Sequence, residues 1–380
     1  MIMNTDKLLC EALRREPLSI DQAMALYETV PVGELVQAAD QMRREAVDAP
    51  EEVTWQIDRN VNITNVCISG CRFCNFHCKP HQKERAYITT ADEYRRKIDE
   101  MLAAGGDQLL LQGGLHPDLK IEFYEELLRM LKDMCPSLRL NALGAPEVSH
   151  IARISGISTA EVLHRLRDAG LDSLPGAGAE ILAEDVRRKI SPAKPSAGEW
   201  CRVMHEAHMM NIPTTATMMY GHLETPRQRM EHILTIRDLQ ARVPEGHYGF
   251  TAFIPWIFRS AGTELEREGI VEVPAEGYLR VIAMSRLLLF NIRNIQASWL
   301  TVGKEVAQQA LHGGANDMGS IMIEENVVSS AGARNRFDAE GMCRAIVEAG
   351  FRPVLRDQLY RRRRYTGPLT DFLRGCESLF

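Results

Sequence analysis

Short runs of β-forming residues alternate along this chain with longer segments in which apolar residues recur at helical spacing. The runs predict eight strands, at residues 61–65, 108–112, 138–142, 171–174, 214–219, 248–254, 294–298 and 316–322. Four of the intervening helices have recognisable capping sequences, which are Thr90-x-x-Glu93, Ser158-x-x-Glu161, Ser196-x-x-Glu199 and Thr225-Pro226-x-Gln228. Eight successive βα units predict an α/β fold, a (β/α)8 TIM-type barrel, because each apolar helix face must cover a strand.

The segments on either side of the predicted barrel have patterns of their own. Apolar residues in segment 1–50 predict an N-terminal extension of two helices packed on the barrel, and they are Ala23, Leu26, Tyr27, Leu35, Val36 and Ala39. The barrel itself is predicted for residues 51–350. Residues 351–380, which contain Pro353 and an arginine run at 361–364, are predicted to form a C-terminal tail folded back on the barrel.

Composition and charge exclude several classes of function. A hydrophobic content of 45% and a charged share of 25% are typical of a soluble globular protein. The longest apolar run, at residues 287–290, is far too short to cross a bilayer. The net charge of -6 provides no basic face for nucleic acid. The nine cysteines and the absence of a signal peptide at the N-terminus predict a reducing, cytoplasmic compartment.

Three cysteines carry the strongest chemical signal. Cys67, Cys71 and Cys74 have the spacing C-x3-C-x2-C directly after the first predicted strand. This spacing can bind three irons of a four-iron cluster and leave the fourth iron open for a small molecule, as an enzyme requires. A zinc site is the alternative, but no second cysteine pair follows at suitable spacing. Cys78 could complete a set of four thiolates, although it would have to fold back over the same short loop.

A glycine pair follows the second predicted strand, in the sequence Gln112-Gly113-Gly114. Because loops at the carboxyl ends of parallel strands meet on one face of a barrel, this turn is expected beside the cysteine loop. Two adjacent glycines let backbone groups approach a ligand closely. An ordinary tight turn is the alternative interpretation.

Together these features resemble the radical S-adenosylmethionine superfamily, whose cluster loop also has an aromatic residue, here Phe73, before the last cysteine. Within it, further segments resemble the cyclic dehypoxanthine futalosine synthases of menaquinone biosynthesis by the futalosine route, across nearly the whole chain. These segments lie at residues 62–67, 176–182, 190–192, 214–222, 315–320 and 324–327.

The resemblance implies two cofactors, a [4Fe-4S] cluster and S-adenosylmethionine. Cys67, Cys71 and Cys74 would bind the cluster. The residues implied for S-adenosylmethionine are Phe73 on its adenine, Gln112, Gly113 and Gly114 at its methionine end, and Glu180 at its ribose or ammonium. A 5'-deoxyadenosyl radical would then remove the C4' hydrogen of dehypoxanthine futalosine, and the carbon radical would close on the benzoate ring.

The same resemblance gives a set of substrate-side residues and partners. Residues expected to bind the substrate lie on or just after strands five to eight, and they are Glu224, Trp256, Gln296, Ser298, Asp317 and Glu325. His222 is the expected acceptor of the final proton, because a histidine titrates near neutral pH. Flavodoxin or ferredoxin is the expected reductant, and the protein is expected to form a homodimer.

Two other functions remain open from the sequence. The same scaffold would suit a sister radical enzyme that joins two substrates, such as aminofutalosine synthase or the second subunit of FO synthase. The cysteine loop alone would also suit a non-catalytic iron–sulfur protein that carries electrons or senses redox state.

Overall fold

The computed structural model describes residues 4–324, 326, 329–332 and 335–365. Nine strands form within this part of the chain, namely β1 Glu52–Gln56, β2 Asp58–Asn62, β3 Gln108–Gln112, β4 Arg139–Ala142, β5 Thr214–Tyr220, β6 Phe250–Ile257, β7 Asn294–Ile295, β8 Asp317–Ser320 and β9 Arg352–Leu355. All the strand pairs are parallel, in the orders β8-β1-β9, β2-β3-β4 and β5-β6-β7.

Single parallel bridges join these three groups into a closed ring. Asn141 pairs with Ser173 and Leu174 pairs with Thr214, so residues 173 and 174 occupy the fourth position of the barrel. The bridges Gln296 to Asp317 and Arg59 to Ile323 close the other side. Since β1 and β2 form one nearly continuous extended segment, the ring has eight positions. The predicted (β/α)8 barrel is confirmed.

Helices surround the strands. In chain order they are α1 Thr5–Leu13, α2 Ile20–Thr29, α3 Val32–Ala46, α4 Ala91–Ala103, α5 Ile121–Met134, α6 Ala145–Ser155, α7 Thr159–Asp168, α8 Glu184–Ile190, α9 Ala197–Met209, α10 Pro226–Gln240, α11 Ala275–Leu288, α12 Trp299–Val302, α13 Lys304–Leu311 and α14 Ala339–Glu348, with short 3-10 turns at Glu264–Glu268 and Ser329–Ala331. Thr90, Ser158, Ser196 and Thr225 cap their helices as predicted.

Several strands differ from the sequence prediction, and β7 is shortened from the predicted residues 294–298 to Asn294–Ile295. The predicted strand at 171–174 is reduced to two bridged residues. The first strand begins earlier than predicted, at Glu52 rather than residue 61, because the polar residues on its inner face hide its alternating pattern. The amide Gly176 N–H donates to Thr215 Oγ1 at 2.9 Å, which holds the fourth position beside β5.

The terminal segments pack on the barrel. Residues 5–46 form three helices where two were predicted, and Arg280 anchors them by donating from Nη1 to the carbonyl oxygens of Tyr27 and Val30 at 2.7 and 2.8 Å. In the C-terminal segment, β9 pairs in parallel with residues 52–55 of β1. Residues 366–380 of the predicted tail lie outside the described part of the chain.

Among the described residues, no helix combines the length and the apolar character needed to cross a bilayer.

Candidate active site

A cavity of about 370 Å³ lies inside the barrel. At the carboxyl ends of the strands it is bordered by the cysteine loop and the glycine turn after β3. At the amino ends it reaches Arg356 and Tyr360, which follow β9. The site therefore extends through the interior of the barrel, unlike barrels whose interior is filled by packed side chains.

The three cysteines of the predicted cluster loop all line this cavity. Cys67 and Cys71 are buried, and Cys74 is partly exposed. The amide N–H groups of Ser69 and Leu115 donate to Cys67 Sγ at 3.4 and 3.3 Å. Hydrogen bonds to cysteine sulfur are one way in which proteins tune iron–sulfur clusters. Burial raises the pKa of the Cys71 thiol to about 11, while nearby Lys194 acts in the opposite direction.

These thiols fit a four-iron cluster. Among the described residues, no three cysteine, histidine or acidic side chains converge as ligands of a single metal ion do. In a [4Fe-4S] cluster each thiolate binds a different iron, so the sulfur atoms need only surround a common space. Cys67, Cys71 and Cys74 do this at the wall of the cavity.

Cys78 is turned away from this space. Its backbone is tied to the cluster loop, because Cys78 N–H donates to Asn65 O at 2.7 Å and Cys67 N–H donates to Cys78 O at 2.9 Å. Its thiol instead donates to the carbonyl oxygens of Lys79 and Gln82, at 3.5 and 3.3 Å. Cys78 therefore positions the loop through its backbone.

The glycine pair lies against the cluster loop itself. A Cβ atom on Gly114 would lie 2.2 Å from Val66 O, and one on Gly113 would lie 3.2 Å from the amide nitrogen of Thr64. Gly114 N–H also donates to Thr64 O at 2.8 Å. Gly113, Gly114 and Gln112 line the cavity as expected. Position 114 requires glycine because the backbone of the cluster loop approaches it closely.

Glu180 is paired with a lysine that the sequence analysis did not identify. Lys194 Nζ lies 2.7 Å from Glu180 Oε1, and both side chains are almost buried. The same nitrogen lies 5.2 Å from the centre of the Phe73 ring. Burial lowers the pKa of Lys194, but the negative charges of Cys71 and Glu180 outweigh it and raise that pKa overall. Phe73, Glu180 and Lys194 thus form one cavity wall beside the cluster loop.

Arg187 fixes the backbone of this wall. Although it is an arginine on a short helix, Arg187 is fully buried. Its guanidinium donates to the carbonyl oxygens of Gly178, Ala179 and Pro195, at distances of 2.9, 2.6 and 2.6 Å. These bonds hold the turn in which Glu180 has a φ of 47°, a conformation uncommon for residues other than glycine.

Three of the expected substrate-side residues line the cavity, namely Trp256, Gln296 and Ser298. Ser298 Oγ donates to Pro255 O at 2.7 Å, and its N–H donates to Tyr278 Oη at 2.7 Å. The serine is therefore held in place by β6 and α11. Trp256 offers an aromatic surface and Gln296 an amide to a ligand.

Three other expected residues do not reach the cavity. His222 and Glu224 are buried against each other, with His222 Nδ1 3.0 Å from Glu224 Oε2. Asp317 is also buried, and it accepts from Arg356 Nε and Nη2 at 2.6 and 2.9 Å. The chain turns at Gly221, where φ is 87°, and this turn takes His222 away from the barrel interior. Glu325 lies outside the described residues.

A cavity-lining acid was also missed by the sequence analysis. Glu147, in the first turn of α6, contributes to the wall near Lys194 and Glu180. Burial raises the pKa of its carboxyl to about 7, although Lys194 acts in the opposite direction. No spacing motif marks this residue; only its place after a predicted strand could have suggested it.

Two protein-family models together match most of the chain. Residues 61–236 match the Radical SAM superfamily, and residues 247–369 match the CofH/MqnC C-terminal region. The cyclic dehypoxanthine futalosine synthase of Streptomyces coelicolor is 42% identical over 341 residues, which cover 90% of this chain and 84% of that protein. A 5-amino-6-(D-ribitylamino)uracil–L-tyrosine 4-hydroxyphenyl transferase of Archaeoglobus fulgidus is 40% identical over 332 residues, covering 86% and 93%.

Solved structures agree on the fold. HydG, a maturase of the [FeFe]-hydrogenase, superposes with a TM-score of 0.74 at 15% identity and covers 98% of this chain and 80% of its own. Methylornithine synthase (PylB) superposes with a TM-score of 0.67 at 19% identity, covering 91% and 97%.

The barrel, the cavity-facing thiols and these matches define an enzyme that acts on a small molecule with a [4Fe-4S] cluster and S-adenosylmethionine as cofactors. The chain belongs to the radical S-adenosylmethionine superfamily, and within it the chain is similar to the cyclic dehypoxanthine futalosine synthases.

Proposed function

We propose that this enzyme converts dehypoxanthine futalosine into cyclic dehypoxanthine futalosine in menaquinone biosynthesis. The observation that carries the proposal is the 42% identity to a cyclic dehypoxanthine futalosine synthase over 90% of the chain. A second such synthase, from Halalkalibacterium halodurans, is 39% identical over 94% of the chain.

When bound, the two cofactors supply a 5'-deoxyadenosyl radical that can remove the C4' hydrogen of the substrate. Cys67, Cys71 and Cys74 would hold the cluster. The wall of Phe73, Glu180 and Lys194 would hold S-adenosylmethionine beside it, and Trp256 would pack against an aromatic part of the substrate. The enclosing barrel keeps out water and other hydrogen donors, as a reactive radical requires.

After ring closure on the benzoate, restoring aromaticity requires the loss of one electron, for which the oxidised [4Fe-4S] cluster would be the acceptor, and of one proton, so the site needs a proton acceptor. His222 was the expected acceptor, but it does not line the cavity, and we assign this role to Glu147 instead. Glu147 faces the cavity, and burial raises the pKa of its carboxyl to about 7. A carboxylate with a pKa near the working pH is suited to accept a proton.

For the reductant, we propose an acidic electron carrier such as flavodoxin or ferredoxin. Lys79, Lys83 and Arg85 lie on an exposed loop that Asn65 Nδ2 ties to the cluster loop by donating to Arg85 O at 2.8 Å. Within the described residues none of these three cations forms an ion pair, which favours an acidic partner. Lys83→Glu should weaken turnover driven by the carrier but not by dithionite, whereas Arg242→Glu, at the amino end of the barrel, should affect neither.

The second candidate is a reaction that joins two substrates. It is favoured by the 40% identity to the transferase of Archaeoglobus fulgidus, whose name indicates two substrates, one of them tyrosine. Both enzyme classes can share a cluster loop, so the loop alone does not separate them.

One assay separates the candidates. The reconstituted protein is incubated anaerobically with S-adenosylmethionine and dithionite, together with either dehypoxanthine futalosine or 5-amino-6-(D-ribitylamino)uracil plus tyrosine. We expect 5'-deoxyadenosine and the mass of the cyclised product in the first case only. An adduct of the two substrates in the second case, with no cyclised product in the first, would replace the proposal by the second candidate.

A further inference from the structure

The side of β1 and β2 that faces the barrel interior is unusually polar. Gln56, Asp58, Asn60 and Asn62 alternate with outward-facing Ile57 and Val61, and all four polar side chains line the cavity while the two apolar ones join the hydrophobic core. The interior of a (β/α)8 barrel is usually filled by branched apolar residues. A polar inner face therefore indicates that this wall contacts a polar ligand.

Asn60 has an unused hydrogen-bond acceptor. Its side chain is only 4% exposed, and its Oδ1 has no hydrogen-bond partner among the described residues. By contrast, the neighbours of Asn60 on the same face are engaged. Asn62 Oδ1 accepts from Asn326 Nδ2 at 3.1 Å, and Asp58 Oδ1 accepts from Ser320 Oγ at 2.5 Å. A buried acceptor without a partner costs stability unless a bound molecule supplies the donor.

A second amide lies level with Asn60 on the same wall. The parallel register pairs Asn60 with Leu110 on β3 and Leu110 with Asn141 on β4, and all three residues line the cavity. Asn141 Oδ1 accepts from Ser173 Oγ at 2.9 Å, while its Nδ2 is bonded to no other described residue. Two strand spacings place the two asparagines about 10 Å apart, with Leu110 between them.

The chemistry of this group of three residues fits a hydroxyl-bearing ring or chain. Asn60 offers an acceptor and Asn141 a donor, and because a hydroxyl can both donate and accept, different hydroxyls of one ligand can bond to the two amides. Leu110 provides an apolar surface for the carbon–hydrogen face. Neither amide carries a charge, so the group does not favour an anion over a neutral ligand. Asn62 and Gln112 border the glycine turn and the cluster loop. The group of three residues lies two residues, or about 7 Å, nearer the amino ends of the strands than these two side chains.

We propose that Asn60, Leu110 and Asn141 bind the hydroxyl-bearing part of the substrate and hold it beneath the S-adenosylmethionine site. This inference rests on the proposed function and deepens it, because it assigns a place to the ribose of dehypoxanthine futalosine. The second candidate reaction also uses a polyol, the ribityl chain of its uracil substrate, and the assignment applies to either substrate.

The test replaces Asn60 by leucine. Asn60→Leu removes an acceptor that has no partner in the described part of the free protein, so the variant should be at least as stable as the wild type. The KM for the hydroxyl-bearing substrate should rise roughly 3- to 10-fold, the effect of one hydrogen bond. The KM for S-adenosylmethionine should not change. Asn291→Leu is the matched control, because Asn291 Oδ1 likewise lacks a partner among the described residues but does not line the cavity.

Substrate analogues give a sharper second measurement. Each analogue lacks one hydroxyl of the ribose, or of the ribityl chain if the second candidate is correct. The wild type should bind one of these analogues roughly 3- to 10-fold more weakly than the full substrate. Asn60→Leu should bind that analogue and the full substrate equally well.

The outcomes separate the two proposals. Wild-type turnover of the substrate combined with an unchanged KM in Asn60→Leu would overturn this inference and leave the proposed function standing. A loss of stability in Asn60→Leu that matches its loss of affinity would mean a structural role and would also overturn it. Turnover of neither candidate substrate by the wild type would overturn both.

Discussion

Lys194 Nζ lies 2.7 Å from Glu180 Oε1 inside the barrel and also faces the ring of Phe73. This pair occupies one oxygen of the Glu180 carboxylate and leaves the other for a ligand. The lysine reaches the site from the loop after α8, and it neutralises a carboxylate in the cavity that the three cysteines of the cluster loop also line. The pair therefore sets both the charge and the orientation of the wall proposed for S-adenosylmethionine.

The first prediction concerns this wall. Glu180→Gln keeps the size of the side chain but removes its charge, so it should weaken hydrogen bonds to ribose hydroxyls or an ammonium group. We expect the KM for S-adenosylmethionine to rise about tenfold or more, since hydrogen bonds to charged groups contribute about 1.5–3 kcal/mol. Formation of 5'-deoxyadenosine measured against S-adenosylmethionine concentration gives this value. Glu184→Gln, at an exposed site on α8, is the control.

An unchanged KM for S-adenosylmethionine, together with a lowered unfolding midpoint, would contradict this interpretation. It would mean that Glu180 and Lys194 act only as a buried ion pair that supports the fold.

The second prediction concerns the glycine turn. Gly114→Ala would place a Cβ atom 2.2 Å from Val66 O, which precedes the first cluster cysteine. Backbone atoms must move to relieve this contact, so the loop should bind its cluster poorly. Because of this overlap, we expect the iron content and the absorbance near 400 nm of the reconstituted variant to be roughly twofold or more below the wild-type values.

Gly198→Ala is the matched control for this variant. A Cβ atom at Gly198 meets nothing within 4 Å, and alanine is the better helix former, so cluster content should stay at the wild-type level. A Gly114→Ala protein with full iron content would show that the cluster loop tolerates displacement.

Local motifs account for the features that the sequence predicted well. The spacing of Cys67, Cys71 and Cys74 and the pair Gly113 and Gly114 depend on neighbours within one loop, so their positions at the cavity could be inferred from the sequence alone. Caps such as Thr90 are equally local, because the side chain bonds to an amide three residues away.

Side-chain direction explains the failures. His222 and Asp317 lie at or just after strands, as predicted, but a position after a strand does not say whether the side chain faces the barrel axis or the helices. Asn60 was missed because the first strand was predicted to begin only at residue 61, which left Asn60 outside it. Lys194 is recruited by tertiary contacts, and no local pattern places it beside Phe73.

The third prediction concerns the buried pair of His222 and Glu224. Burial alone would raise the pKa of the Glu224 carboxyl, but His222, Arg229 and the Gly221 N–H lower it to about 2. Because the folded pKa lies below the unfolded one, this carboxylate stabilises the protein above about pH 4.5, and that stability is lost as pH falls towards 2. Glu224→Gln should therefore lower the free energy of unfolding at pH 7 by about 3 kcal/mol.

Denaturant unfolding at several pH values measures this loss, which should shrink as pH falls below about 4.5. The pH dependence of kcat should stay that of the wild type, because neither side chain of the pair lines the cavity. A kcat profile shifted by this substitution would return His222 to the reaction.

The fourth prediction concerns Glu147 and the pH dependence of activity and stability. Burial raises the pKa of its carboxyl from 4.5 to about 7, so the folded state holds a proton that the unfolded state has already released. The contribution of Glu147 to the free energy of unfolding has its full size below about pH 4.5 and is lost as pH rises to about 7. In Glu147→Gln this loss should disappear, and the free energy of unfolding should fall less between pH 5 and pH 7.5 than it does in the wild type.

The same substitution tests the proposed proton acceptor. If Glu147 accepts the final proton, turnover of the wild type should rise with pH through a pKa near 7, and Glu147→Gln should lower kcat about 100-fold, the lower range for general base catalysis. Formation of 5'-deoxyadenosine without product should persist, since hydrogen removal precedes proton loss. A variant with wild-type kcat but the altered pH dependence of unfolding would confine Glu147 to a structural role and direct the search to another cavity-lining group.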